Sequence, residues 1–231
     1  MQSCQATGSE SRARHSALGA VTDPPPAARG DLRYLALGDS YTIGEGAAES
    51  DRWPVQLSRA LRERGVHLAD PEIIAKTGWT AGELLEAIAH VDPRGPYALV
   101  TLLAGVNNQY RGMIQASFRV QFRSVLQRAV ELAGETPHHV IVVSIPDWGA
   151  TPWNAARKTP RSPARVAREI DAYNRIVQKL ASAAHAQFVD ITDLTRAEPQ
   201  AVVSDGLHPN GSMYARWVTR LLPIAAEVFS R

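Results

Sequence analysis

Short apolar runs alternate along this chain with longer stretches in which apolar residues return every three or four positions. The short runs predict strands at Arg33–Leu37, Ile73–Ala75, Ala98–Ala104, Val140–Ile145 and Gln187–Ile191. Several are almost continuously apolar, as expected when both faces of a parallel sheet are covered. The longer stretches predict helices. Phe118, Phe122, Val125, Ala129 and Leu132 fall on one helical face, and Val166, Ile170, Tyr173, Val177 and Leu180 on another. Ser162 before Pro163 predicts a helix start, with a serine N-cap and proline at the first turn. A last helix is expected from about Asn210 to Phe229.

Five strands alternating with helices predict an α/β protein, a three-layer α/β/α sandwich around a five-stranded parallel sheet. Right-handed crossovers leave few topologies. Among them is the flavodoxin-like order 2-1-3-4-5, whose ligands bind at the carboxyl ends of the first and third strands. Residues 1–30 are rich in Ser, Ala, Pro and Gly and end near Pro24-Pro25-Pro26. Such a segment buries too little apolar surface to offset the entropy of ordering it, so a disordered tail or tether is expected. One domain is expected over residues 31–231.

Composition narrows the field. A formal charge of +2 and the absence of a basic cluster interleaved with aromatics give no nucleic-acid footprint. No apolar run spans a bilayer. A single cysteine, Cys4, excludes an intrachain disulfide and a multi-cysteine zinc site. Met1-Gln2-Ser3-Cys4 weakly resembles the end of a bacterial lipoprotein signal, but the apolar segment such a signal requires is missing. Two readings stay open: a lipid anchor at Cys4 on a periplasmic or secreted protein whose signal was trimmed, or an incidental cysteine in a cytoplasmic one.

Candidate chemistry lies in the loops that leave the strands. Gly38-Asp39-Ser40 follows the first strand, and the turn exposes Ser40 above the sheet edge, although Asp39 and Ser40 also suit a helix cap. The G-x-S-x-G nucleophile elbow is not met, because position 42 is Thr. Gly78 follows the second strand and offers a backbone N–H that a ligand oxygen can approach. Gly105-Val106-Asn107-Asn108 follows the third, with the Asn107 amide expected in the same crevice as Ser40. Asp205-Gly206-Leu207-His208 precedes the last helix. Its spacing lets the carboxylate reach Nδ1 of His208, fixing the tautomer and leaving Nε2 to accept a proton.

Together these segments resemble the SGNH/GDSL hydrolase family, whose four blocks occur here in order. Gly38-Asp39-Ser40 resembles the nucleophile block, Gly78 the glycine block, Gly105-Val106-Asn107 the asparagine block and Asp205-Gly206-Leu207-His208 the acid–base block. The resemblance implies a serine esterase acting on small or short-chain acyl esters through an acyl-enzyme. Ser40, His208 and Asp205 would be catalytic, the Ser40 N–H, Gly78 N–H and Asn107 amide would form the oxyanion hole, and no metal or organic cofactor would be needed. Lysophospholipid or thioester hydrolysis, carbohydrate deacetylation and acyl transfer use the same groups and stay open, as does a non-catalytic binding module. One departure is position 108, where the family often has aspartate and this chain has Asn.

Tryptophans are ambiguous between wall and packing. Trp148 and Trp153, in a segment leaving the fourth strand, and Trp79, beside Gly78, are candidates for substrate contact. Trp53, before Pro54, reads as core. His138 and His139 are expected at a strand entrance, pointing to opposite faces. The histidines other than His208 show no metal-ligand spacing, and no metal site is expected.

Overall fold

A computed structural model describes residues 32–230. The expected tail over 1–30 and the anchor reading of Cys4 lie outside the described residues. The strands are β1 (Tyr34–Asp39), β2 (Glu72–Lys76), β3 (Leu99–Leu102), β4 (Val140–Val143) and β5 (Gln187–Val189), all parallel, in the order β2-β1-β3-β4-β5. This is the doubly wound sheet that the alternating pattern predicts. Between the strands run α1 (Ser40–Ile43), α2 (Trp53–Glu63), α3 (Ala81–Val91), α4 (Val106–Tyr110), α5 (Gln115–Leu132), α6 (Pro152–Ala155), α7 (Pro163–Ala183), α8 (Thr192–Ala197) and α9 (Gly211–Val228). Helices α3, α5 and α7 pack side by side, while α2 packs with α9. Among the described residues no helix is long and apolar enough to cross a membrane.

The core forms as its pattern dictates. Strands β1, β3 and β4 are buried at every position, the expected state of a central parallel strand. Phe118, Phe122, Val125 and Ala129 of α5 are buried, as are Val166, Ile170 and Val177 of α7. Ser162 caps α7 by accepting from the Arg165 N–H, with Pro163 at the first turn. Trp53 is fully buried.

Strand ends differ from the apolar runs for identifiable reasons. β1 runs on through Gly38 and Asp39 because both pair with β2, opposite Ala75 and Lys76. β4 stops at Val143 because the Asn174 side chain takes both the Ile145 N–H (2.7 Å) and the Ile145 carbonyl (3.1 Å). β5 stops at Val189, and Ser144 Oγ then accepts the Ile191 N–H at 2.8 Å. His138 and His139 sit in a single 3-10 turn, Pro137–His139, with ring centroids 4.5 Å apart. They are neighbours rather than residues on opposite faces, because the proline starts a turn where an extended entrance was expected.

Candidate active site

Gly38 lets β1 turn directly into α1. A Cβ there would lie 2.1 Å from Thr42 Oγ1 and 2.7 Å from the Leu103 carbonyl oxygen, so no larger residue fits. Asp39 caps the short helix by accepting the Tyr41 N–H at 3.0 Å, and Ser40 becomes its first residue, only 4% exposed. The cap reading is thus realised by Asp39, whereas Ser40, expected to be exposed above the sheet edge, is almost wholly buried and reaches open space only as part of the cavity lining, because other loops pack over the turn.

Gly105 does the same after β3. Its φ is 123°, and a Cβ would meet Ile145 Cδ1 and the Phe118 ring at 2.8 Å. From this turn Asn107 extends its amide to the Trp79 carbonyl, with Nδ2 donating at 2.9 Å. Gly78, at φ 85°, has its carbonyl held by Arg111 Nη2 at 2.5 Å. The Gly78 N–H finds no acceptor among the described residues.

The acid–base segment is braced through its backbone. The Val203 N–H donates to the His208 carbonyl at 2.8 Å, and the Gly206 N–H to the Val203 carbonyl at 3.0 Å. Asp205 then faces back on His208: Oδ2 lies 2.5 Å from Nδ1, while Oδ1 accepts the Leu207 and His208 N–H groups at 2.7 and 3.0 Å. Partial burial disfavours the charge on Asp205, but these hydrogen bonds, the His208 side chain first, outweigh it and hold the carboxyl below its usual range. His208 is 6% exposed and its ring lies 5.1 Å from that of Tyr41.

These segments meet. Ser40, Asn107 and His208 line one cavity of about 130 Å³ together with Tyr110, Trp148 and Trp153. Tyr41, Val106 and Leu207 complete its wall. No hydrogen bond joins Ser40 Oγ to the imidazole among the described residues, although both line the same cavity. Trp148 and Trp153 are thus on the wall, packed edge to face 5.9 Å apart, and Trp148 is also anchored, its Nε1 donating to Gln109 Oε1 at 2.8 Å. Trp79 is not on the wall. It is half-buried against the core, and its backbone carbonyl rather than its ring serves the site.

Tyr110 escaped the sequence reading, although its place three residues after Asn107 on a helix puts both on one face. Leu207 was hidden in the acid–base motif as a mere spacer. A hydrogen bond from the Trp153 N–H to the Gly206 carbonyl (2.9 Å) ties the aromatic segment to the acid–base segment, and nothing local announces it.

Two buried polar groups support the site from below. Asn108 is fully buried: Oδ1 accepts the Ala81 N–H at 2.9 Å, and Nδ2 donates to Gln121 Oε1 at 2.8 Å. At position 108 the amide therefore supplies both an acceptor for α3 and a donor for α5. Asp39 is fully buried with Oδ2 unpartnered, and burial, against the opposing Tyr41 N–H, pushes its carboxyl up to about 7.

Fold and cavity define a three-layer α/β/α protein with a hydroxyl, an imidazole and a carboxylate gathered at the carboxyl edge of its sheet. The model of the GDSL-like Lipase/Acylhydrolase family matches residues 36–216, and the chain belongs to that family of hydrolases. A search of curated proteins finds none that matches. Among solved structures it is similar to TesA (20% identity, TM-score 0.67, covering 85% of this chain and 99% of that one). It is also similar to the lipase/acylhydrolase from Enterococcus faecalis (17%, 0.64, 85% and 96%). A third similar structure is phospholipase A1 from Streptomyces albidoflavus NA297 (15%, 0.64, 86% and 99%). At these identities the likeness speaks for the fold.

Proposed function

We propose that the protein is a serine carboxylic-ester hydrolase for small or short-chain acyl esters, with Ser40 as nucleophile. The observation that carries this reading is the shared cavity of Ser40 and His208, with Asp205 Oδ2 2.5 Å from His208 Nδ1. Serine is a weak nucleophile at neutral pH until a base removes its proton. His208 Nε2 takes that proton as Oγ bonds to the ester carbonyl carbon. Asp205 keeps the other nitrogen protonated and stabilises the imidazolium that results.

Charge then moves to the former carbonyl oxygen. The Ser40 N–H, the Gly78 N–H and the second hydrogen of Asn107 Nδ2 are its donors, and the Trp79 carbonyl orients that amide by holding the first hydrogen. Loss of one such donor typically costs about 10² to 10³ in rate. Collapse breaks the bond to the alcohol oxygen, which leaves with the proton from His208. Water, deprotonated by the same imidazole, then releases the acid and restores Ser40.

The cavity's modest volume and its aromatic wall favour short acyl groups. The test combines labelling and turnover. A fluorophosphonate should modify Ser40 and nothing in Ser40→Ala, which should melt at the same temperature yet hydrolyse no p-nitrophenyl ester. An unlabelled native protein, inert to small activated esters, would instead favour a binding module.

A further inference from the structure

The aromatic wall carries two cations that the ester-hydrolase reading does not use. The Arg157 guanidinium carbon lies 4.7 Å from the Trp153 ring centroid and 5.8 Å from that of Tyr110, and Arg157 Nη1 donates to Tyr110 Oη at 3.0 Å. Arg161 lies 4.8 Å from the Tyr110 centroid and 5.4 Å from that of Trp148, with Nη2 on the Tyr110 carbonyl at 2.8 Å. All three rings line the cavity of Ser40 and His208.

What sets these arginines apart is their lack of a carboxylate. Arg33, Arg111, Arg196 and Arg220 illustrate the paired ones, each within 4.0 Å of Glu or Asp. Among the described residues the others with no such partner, Arg59, Arg64, Arg119, Arg123, Arg168 and Arg175, are exposed, where water solvates the charge. Among the described residues only Arg157 and Arg161 are both unpaired and half-buried. The nearby carboxylate, Glu169, feels Arg161 but is hydrogen-bonded to Arg165 and Gln109. Arg157 Nε is itself buried with no acceptor.

Partial burial of a cation is unfavourable unless something compensates. Stacking on an aromatic face offsets part of that cost but gives the guanidinium N–H groups no acceptor. Neither arginine is part of the cavity lining itself, but each stacks on rings that are, and a planar guanidinium is the side chain best shaped to meet carboxylate or phosphate oxygens on a group that reaches past those rings.

We propose that the ester taken by Ser40 carries a negatively charged group, a carboxylate or a phosphate, on the part that reaches the Tyr110–Trp153 wall. Arg157 binds that group, and Arg161 adds to the positive field around it. The inference rests on Ser40 being the nucleophile. It assigns Arg157 as the residue that sets substrate charge.

Matched ester pairs test it. Mono-p-nitrophenyl glutarate against p-nitrophenyl valerate places a carboxylate on the acyl side. Butyrylglycerol phosphate against butyrylglycerol places a phosphate on the alcohol side. At low salt, kcat/KM for the charged member of at least one pair should exceed that of its neutral partner about tenfold or more. That ratio should shrink as salt is raised, fall toward unity in Arg157→Met and survive in part in Arg157→Lys. Equal or better turnover of the neutral member in both pairs overturns the inference, and so does a ratio that persists in Arg157→Met. The salt dependence of the native enzyme decides the matter even if a variant folds poorly. If neutral esters are cleaved through Ser40 without charge preference, only this inference fails. If no ester is cleaved and no phosphonate labels Ser40, the hydrolase reading fails and takes it along.

Discussion

The Asp205 carboxylate grips His208 at both ends, with Oδ2 2.5 Å from the imidazole Nδ1 and Oδ1 3.0 Å from the backbone nitrogen of the same residue. The first contact sets the tautomer and the second sets where the ring starts. In Asp205→Asn the backbone contacts can survive through the amide oxygen. The amide nitrogen would then face Nδ1 as a donor and drive the imidazole proton to Nε2, the atom that accepts in the proposed mechanism. We expect kcat to fall by about 10³ to 10⁴ with little change in KM, measured on a short p-nitrophenyl ester. Because this carboxyl sits below its ordinary range, the stability it contributes is complete above its unfolded value of about 4 and is lost as pH falls through the folded value. The melting difference between Asp205→Asn and the native protein should therefore close on acidification.

Asp39 has the opposite sign. Burial raises its carboxyl to about 7, so the folded state holds the proton more tightly than the unfolded chain does. Its contribution is fully present below about pH 4 and is lost as pH rises through about 7. Asn can still accept the Tyr41 N–H without carrying charge. Asp39→Asn should be more stable than the native protein by about 2 kcal/mol at pH 8 and gain nothing at pH 4. The full cost of a buried charge is not recovered, because the amide must bury two N–H groups. Denaturant midpoints at the two pH values check this.

Asn108 should matter for stability before it matters for chemistry. Asn108→Ala leaves the buried Ala81 N–H and the Gln121 amide without partners, which should cost about 2–4 kcal/mol by urea unfolding. Asn108→Asp should cost less, since one oxygen still meets Ala81 and the Gln121 amide can reverse to donate to the other.

Trp153 bounds the cavity together with Tyr110 and Trp148. Trp153→Ala removes the ring while leaving its backbone bond to Gly206 in place. The acyl-chain optimum on p-nitrophenyl esters should move to longer chains, with about tenfold lower kcat/KM on the shortest. An unchanged chain-length profile would show that this ring does not bound the acyl site.

The family blocks were readable because each is a local device. Gly38 and Gly105 mark turns where a Cβ has no room, and three residues suffice to bring Asp205 onto His208. Trp79 illustrates the limit: its ring is a plausible wall in sequence, yet the Asn107 amide binds its carbonyl across 28 positions of chain. The sequence motif also gave no sign that Asp39 would be buried with an unpartnered oxygen, because burial depends on what the rest of the chain stacks above it.

The order of apolar runs and helical periods by itself determined a parallel sheet covered by helices, since hydrophobic spacing sets strand or helix and crossover handedness leaves few topologies, among which the packed chain takes the order β2-β1-β3-β4-β5. It also determined which turns carry hydroxyl, amide, imidazole and carboxylate. Only the tertiary structure decided that Tyr110, Trp148, Trp153 and Leu207 enclose those groups and that Arg157 and Arg161 lie unpaired against the same rings. Such contacts join loops far apart in the chain, and their geometry follows from how whole layers pack rather than from any local preference.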